Sequence, residues 1–228
     1  MITIKDLKKD AEVSALINVT EKQLEVLGFT EHSQRHLSIV SHWAGDILRA
    51  IGAPEREVNL GEIAGYLHDL GNAVNRVDHA QSGAILAYNI LVRLGLSFED
   101  ASDIMLAIGN HDEEHGIPVS RISAALIIAD KSDVHKSRVR RNKMPSLLVG
   151  KEGHITDIHD RVNYAAESSH LTTNFKNKTI LLDIVINTEI CPVMDYFEIY
   201  FNRMKLCRRA AEFLGLTFSL VINNVVML

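Results

Sequence analysis

Six side chains between residues 36 and 130 have the types and surroundings of metal ligands. Four are histidines and two are aspartates. Imidazole and carboxylate groups together suit one or two divalent ions such as Fe, Mn, Co, Ni, Zn or Mg. The sequence therefore raises the hypothesis of a metal centre formed by His36, His68, Asp69, His79, His111 and Asp130.

The adjacent pair His68-Asp69 lies in "GYLHDLGN", where an apolar helix is expected to stop near Gly71. Neighbouring residues inside a helix diverge by about 100°. At a helix end the backbone can turn both side chains to one point. Ordinary helix-end residues are the alternative reading, because two-residue motifs occur often by chance.

Two further residues strengthen the metal hypothesis. His36 lies on the apolar stripe of Val40 and Ala44, and a buried neutral imidazole is a good ligand. Asp130 ends the apolar run "AALIIAD". A carboxylate beside a buried face needs a partner, which a divalent cation would supply.

His79 and His111 also lie at expected helix ends, where a bundle can aim short side chains into a shared cavity. Six protein ligands are too many for one ion that must keep an open position for water. The set suits two ions that share Asp69 as a bridge.

Three segments, "RHLSIVSHWA", "YLHDLGN" and "IIADKSDV", resemble the ordered ligand motifs of the HD superfamily of metal-dependent phosphohydrolases. "HAQSGA" and "NHDEEHG" are similar to the additional motifs of two-metal members. The resemblance implies that His36, His68 and Asp130 hold a first ion, that His79 and His111 hold a second, and that Asp69 bridges them. It also implies hydrolysis of phosphoester bonds.

The resemblance has departures. Asn72 follows "HDLG" where many relatives have Lys, and Asp112 stands where two-metal members often have a second His. The GYP motif is absent, so cyclic di-GMP hydrolysis is not supported.

Several neighbours allow two readings. His32, one turn before His36, could compete for its role or lie on the substrate side, whereas His42 and His115 are expected to face solvent. Lys131 is a candidate catalytic contact to substrate phosphate, or it extends from the helix end to water. Asp133 could orient a ligand, but a solvated helix-end acid is the favoured reading.

The run "DKSDVHKSRVRRNK" (130–143) is strongly basic towards its end. It could recruit an anionic substrate or form an exposed linker.

Composition indicates a globular, cytoplasmic protein with a real core. Of 228 residues 46% are hydrophobic, and the net charge of -5 gives no strong signal for nucleic acid. We find no apolar run of about 18 residues and no signal peptide, so no membrane partner is expected. Cys191 and Cys207 have no metal-ligand spacing and form no disulfide framework.

Helical periodicity and caps predict a mainly α bundle over residues 1–144. Thr30, Asn59, Asp78, Ser97 and Ser120 are the expected caps. Residues 145–228 are predicted to form a small α/β subdomain in the order β-β-α-β, with a hairpin turn at Asn177-Lys178.

The whole pattern favours a metal-dependent phosphohydrolase that acts on a nucleotide or another small phosphorylated compound. A di-iron oxygenase on the same scaffold and a non-catalytic, metal-stabilised signalling module remain alternatives. The strand-rich C-terminal subdomain, with an exposed edge strand, favours a homodimer.

Overall fold

The computed structural model describes residues 2–140 and 157–228. Its N-terminal part is a bundle of helices joined by short loops, with 3-10 turns at Leu70–Ala73 and Lys136–Arg138. The helices are α1 (Ile4–Lys9), α2 (Ala11–Val26), α3 (Gln34–Ala50), α4 (Glu55–Leu67), α5 (His79–Arg93), α6 (Phe98–Gly109) and α7 (Arg121–Lys131).

The C-terminal residues that the structure describes, 157–228, combine two helices with a four-stranded sheet of order β1-β2-β3-β4. The sheet pairs β1 with β2 antiparallel, β2 with β3 parallel, and β3 with β4 antiparallel. The elements are α8 (Ile158–Ala165), β1 (Ala166–Asn174), β2 (Thr179–Ile186), α9 (Val193–Phe213), β3 (Thr217–Ile222) and β4 (Val225–Val226).

This architecture confirms the predicted fold class, a helical bundle followed by a small α/β part. The β1–β2 hairpin turns where it was expected, and Lys178 adopts a left-handed φ of 51° there. Two details differ from the predicted order. Residues 158–165 are helical, because Asp157 caps them by accepting from the amides of His159 and Asp160, and β4 adds a short last strand.

The helix starts agree with the sequence in part. Ser97 and Ser120 accept amide hydrogen bonds at the starts of α6 and α7, as predicted. Asp78 precedes α5 without a side-chain cap. Helix α3 begins after Ser33 rather than Thr30.

Helix α4 starts earlier than predicted, after Pro54. The fixed φ of proline and two acidic residues in the first turn favour a start there. Asn59 therefore lies inside α4, and its side chain donates to the carbonyl of Ile2 at 3.0 Å.

Helix α7 is the centre of the bundle. Every residue from Ile122 to Ala129 is buried, with α3, α4 and α6 packed around the helix. The stripe of Val40 and Ala44 faces this core, as its spacing predicted. Because α7 is enclosed along its length, Asp130 and Lys131 at its C-terminal end also enter the interior.

The C-terminal elements pack against this end of α7. Helix α9 contacts α7, and Ser169 on β1 donates to the carbonyl of Ser132 at 2.9 Å. The predicted boundary between residues 144 and 145 lies outside the described residues. The homodimer stays a prediction. In the described ranges, no helix combines the length and the apolarity needed to cross a membrane.

The close crossing of α3 and α4 depends on Gly65. A Cβ on Gly65 would lie 2.7 Å from the Ser41 Cα and 2.8 Å from its amide nitrogen, so backbone would have to move. We expect Gly65→Ala to lower the free energy of unfolding by about 1–3 kcal/mol, the usual cost of overpacking, in denaturant titrations. Gly109→Ala is the control, because its Cβ would meet Ala84 at an ordinary 3.7 Å. Equal stability of the two variants would contradict the close packing.

Candidate metal centre

The structure brings all six predicted ligands together from the ends of five helices. His36 lies in the first turn of α3, His79 opens α5, and Asp130 lies in the last turn of α7. His68 and Asp69 directly follow α4, and His111 follows α6 by two residues. The four histidines and Asp69 are almost fully buried.

The four imidazoles form a row in the order His36, His68, His111, His79. Neighbouring ring centroids are 5.3, 5.0 and 5.2 Å apart along the row. Two carboxylates lie beside it. His68 Nε2 is 3.3 Å from Asp69 Oδ2, and His36 Nε2 is 3.4 Å from Asp130 Oδ1.

Each ring is held through its Nδ1 atom. The partners are a carboxylate or backbone carbonyls, which only accept hydrogen bonds, so Nδ1 carries a proton and Nε2 is the atom that presents a lone pair when the ring is neutral. The pairs are His36 with Asp133 Oδ2 (2.7 Å), His68 with Gly65 O (2.9 Å), His79 with Arg76 O (3.1 Å) and His111 with Ile108 O (2.6 Å).

The residues fit divalent ions. Four buried ligand atoms have no hydrogen-bond partner among the described residues: Nε2 of His36, His68 and His111, and Oδ2 of Asp69. Donor atoms of His36, His68 and Asp130 lie within 4.8 Å of one another, and so do those of His68, Asp69 and His111. His68 belongs to both groups. His79 Nε2 is 3.7 Å from Asp69 Oδ1 and 4.0 Å from Asp112 Oδ1, which adds a carboxylate to that end of the row.

Asp69 is the least compensated charge in the centre. Its side chain is 4% exposed, and its ion-pair partners among the described residues are imidazoles rather than Lys or Arg. Asn72 donates to its Oδ1 at 2.9 Å. Burial alone would raise the pKa of Asp69, but the positive charge of His68 outweighs burial and holds this pKa well below 3.8.

The pKa values of His68 and His111 are shifted in opposite directions. Burial lowers the pKa of His68, but the charges of Asp69 and Asp130 outweigh this and raise the pKa to about 10. Burial, with the charges of His68 and Lys131, lowers the pKa of His111 to about 3. His111 is therefore neutral and ready to bind an ion, whereas His68 must first lose a proton.

Lys131 does not extend to water. Its ammonium is buried, 2.7 Å from both Asp130 Oδ2 and Glu113 Oε2. Glu113 also accepts from Arg203 Nε on α9 at 3.1 Å. Burial lowers the pKa of Lys131, but Asp130 and Glu113 outweigh burial and raise it above its ordinary value. Lys131 is thus a fixed cation beside a candidate ligand, and its contact to substrate phosphate stays a prediction.

The contacts of Asp133 agree with the less favoured of its two expectations, a carboxylate that orients a candidate ligand. It is buried rather than solvated, and besides His36 it binds Arg35 Nη2 at 3.0 Å. Arg138 Nη1 lies 3.5 Å from the same carboxylate oxygen. The available signal was its position one turn after Asp130. Arg138 is itself buried, and Arg140 pairs with Glu21 at 3.0 Å, so these two basic residues are not an exposed linker.

Three further histidines close to the ligand motifs in sequence differ in exposure and in their contacts. His42 is exposed and pairs with Asp46 at 3.1 Å, and His115 is exposed, as predicted. His32 lies on the wall of the centre, with its ring centroid 5.4 Å from that of His36. Its Nε2 accepts from Arg138 Nη2 at 3.0 Å, so it stands beside the ligands rather than replacing His36.

A family model described as HD domain matches residues 29–149. This chain belongs to the HD domain family. The match contains all six candidate ligands and ends before α8, so the candidate metal centre belongs to the HD domain, and α8, α9 and the sheet lie outside the match.

This HD-domain chain is also similar to two individual proteins, at low sequence identity. It is 28% identical over 136 residues to the uncharacterized protein MJ1020 of Methanocaldococcus jannaschii, which covers 50% of this chain and 52% of that protein. The chain thus matches about half the length of this relative. A crystal structure described as a predicted HD superfamily hydrolase from an uncultured Thermotogales bacterium is 20% identical, with a TM-score of 0.43 over 71% of this chain and 89% of that one.

The buried contact between Asp133 and His36 should support metal binding. We expect Asp133→Asn to weaken metal affinity about 10- to 100-fold, the usual effect of removing a carboxylate that orients a histidine ligand. Affinity is measured by competition with a chelator. Asp46→Asn is the matched control, because it removes the carboxylate of the exposed His42–Asp46 pair. Equal affinity of the two variants would contradict the orienting role.

Metal binding should release a proton from His68. Calorimetry in buffers of different ionisation enthalpy is expected to show about one proton released at pH 7–8, with apparent affinity rising with pH. In the metal-free protein, the raised pKa of His68 stabilises the fold below about 6.5, and this contribution is lost as pH rises to about 10. Binding without proton release would show that His68 is already neutral.

Proposed function

We propose that this HD-domain protein is a metal-dependent phosphohydrolase. It would cleave a phosphoester of a nucleotide or of another small phosphorylated compound with an activated water. One observation carries the proposal: four buried imidazoles, each held through Nδ1, present Nε2 beside the carboxylates of Asp69 and Asp130. A metal site that only stabilises a fold surrounds one ion with four protein ligands and leaves no open position. The row and the two carboxylates beside it offer six candidate ligands, which is more than one ion needs.

The row has room for two ions. His36, His68 and Asp130 would hold one ion, and His79 and His111 the other, with Asp112 within reach of His79. Asp69 would bridge them, because its Oδ2 faces His36 and His68 while its Oδ1 faces His79. Such ions lower the pKa of a bound water and neutralise charge that develops on a phosphoryl group.

The protein residues have separate tasks in this proposal. Asp69, with its lowered pKa, stays ionised and holds the centre together. Lys131 fixes Asp130 through their 2.7 Å contact and so acts on the reaction by positioning a ligand. The buried surroundings keep bulk water away from the row, which strengthens each electrostatic contact.

A cytoplasmic location is part of the same proposal. Cys191 and Cys207 are free and buried, which agrees with a reducing compartment.

The decisive experiment combines metal analysis with an activity assay. Protein purified without added metal or chelator is expected to contain about two divalent ions per chain and to hydrolyse phosphomonoesters. Asp69→Asn should lose at least one ion and reduce kcat/KM at least about 10³-fold, because the buried bridge is removed. Asp103→Asn is the control, since Asp103 pairs with Arg56 on the surface.

Two outcomes would reject the proposal. A protein that binds no ion after metal is offered back cannot use this chemistry. A loaded protein that cleaves no phosphoester but consumes O₂ with ferrous iron would be an oxygenase.

A further inference from the structure

A cavity of about 270 Å³ lies where the HD domain meets the C-terminal helices. From the HD domain it is lined by His32, Arg76 and Arg138. From α8 and α9 it is lined by Asn163, Tyr200 and Arg203. The volume is close to the lower end of the range for small-ligand pockets, about 300–1,000 Å³. It therefore suits one small molecule rather than a polymer.

The cavity wall touches the metal centre at several points. Arg76 Nη1 is 3.5 Å from His79 Nε2, the atom that would bind an ion. The His32 ring packs edge-on against the ring of His36. None of the six candidate ligands lines the cavity, so a molecule in it would be separated from each end of the imidazole row by one side chain, His32 or Arg76.

Arg76 carries the positive charge most available to a ligand. Arg138 lies against the carboxylate of Asp133, and Arg203 against that of Glu113. Arg76 has no carboxylate partner among the described residues. Its guanidinium instead donates to Asn72 Oδ1 at 3.3 Å and lies 5.3 Å from the ring centroid of Phe29. A phosphate oxygen would complete its hydrogen bonding.

The opposite wall combines the acidic residues Asp157 and Asp160, at the start of α8, with two neutral polar side chains. Asn163 Nδ2 donates to the Tyr200 hydroxyl at 2.8 Å, and both residues are 2% exposed. The Tyr200 hydroxyl is the acceptor in this contact, so its own hydrogen can be donated to a ligand. Asn163 Oδ1 has no partner among the described residues. Such a donor and acceptor pair matches hydroxyl groups better than it matches an apolar ring.

We propose that this cavity is the substrate pocket of the phosphohydrolase, and that it selects small phosphomonoesters with a hydroxylated leaving group, such as sugar phosphates. Arg76 binds a phosphate oxygen beside the metal centre, and the Asn163–Tyr200 pair binds a hydroxyl of the leaving group. The claim that the bound phosphomonoester is hydrolysed rests on the proposed function. The claim that the cavity binds phosphate rests on the residues of the cavity alone.

The first test measures binding without catalysis. Inorganic phosphate is titrated calorimetrically into metal-loaded protein, and the metal content of each sample is determined. Arg76→Gln is expected to weaken phosphate binding at least about tenfold, because a charge-assisted hydrogen bond is lost. Arg208→Gln should bind like the wild type, since Arg208 lies on the outer face of α9. Equal affinity of the two variants at equal metal content, or no phosphate binding by the wild type, would overturn the pocket.

The second test measures selectivity. Hydrolysis of ribose 5-phosphate is compared with that of phenyl phosphate, whose leaving group has no additional hydroxyl. Tyr200→Phe should lower kcat/KM for ribose 5-phosphate about tenfold and leave phenyl phosphate unchanged. Tyr196→Phe is the control on the same helix, because its hydroxyl contacts Met204 Sδ in the core.

The two tests distinguish an error in the pocket assignment from an error in the proposed hydrolase function. If both esters are cleaved and Tyr200→Phe affects them equally, the pocket assignment is wrong while the hydrolase stands. If neither ester is cleaved, the hydrolase is in question, and the dependence of phosphate binding on Arg76 decides the pocket by itself.

Discussion

The buried carboxylate of Asp69 is the constraint on which the metal centre depends. An ionised carboxylate inside a protein is costly unless it is paired, and among the described residues Asp69 is surrounded by imidazoles and an amide rather than by Lys or Arg. Imidazoles compensate it only by taking up protons or by sharing an ion with it. Since a preformed group of this kind does not exist in the unfolded chain, an ion bound here would contribute directly to the stability of the fold.

The ends of the helices orient the candidate ligands. The last turn of a helix has carbonyl groups without intrahelical partners. His68 and His111 each donate Nδ1–H to a carbonyl three residues earlier, at Gly65 and Ile108, in the last turns of α4 and α6. The same contact satisfies the carbonyl and turns Nε2 towards the row. His36, which begins a helix, has no such carbonyl and uses Asp133 instead.

Much of this centre could be predicted from sequence because each ligand lies in a recognisable local context. Adjacent ligands at a helix end, an imidazole on an apolar stripe and an acid closing a buried run are readable one segment at a time. Arg76 and Glu113 were not predictable in that way, because their positions depend on contacts between distant segments. For Asp133 the orienting role was only the less favoured expectation, because its burial depends on such contacts too. The start of α4 was missed for a different reason: Asn59 is a plausible cap by residue type, but Pro54 allows the helix to begin five residues earlier.

A series of ion pairs connects the C-terminal part to the candidate metal centre. Asp130 contacts Lys131, Lys131 contacts Glu113, and Glu113 binds Arg203 on α9. Arg203 in turn lines the cavity beside the metal centre. Helix α9 lies outside the HD match, which ends at residue 149. In the proposed function, the family motif would hold the ions that assist bond cleavage, whereas the elements that follow it would select the molecule that reaches them. This separation explains why membership of the family does not name a substrate.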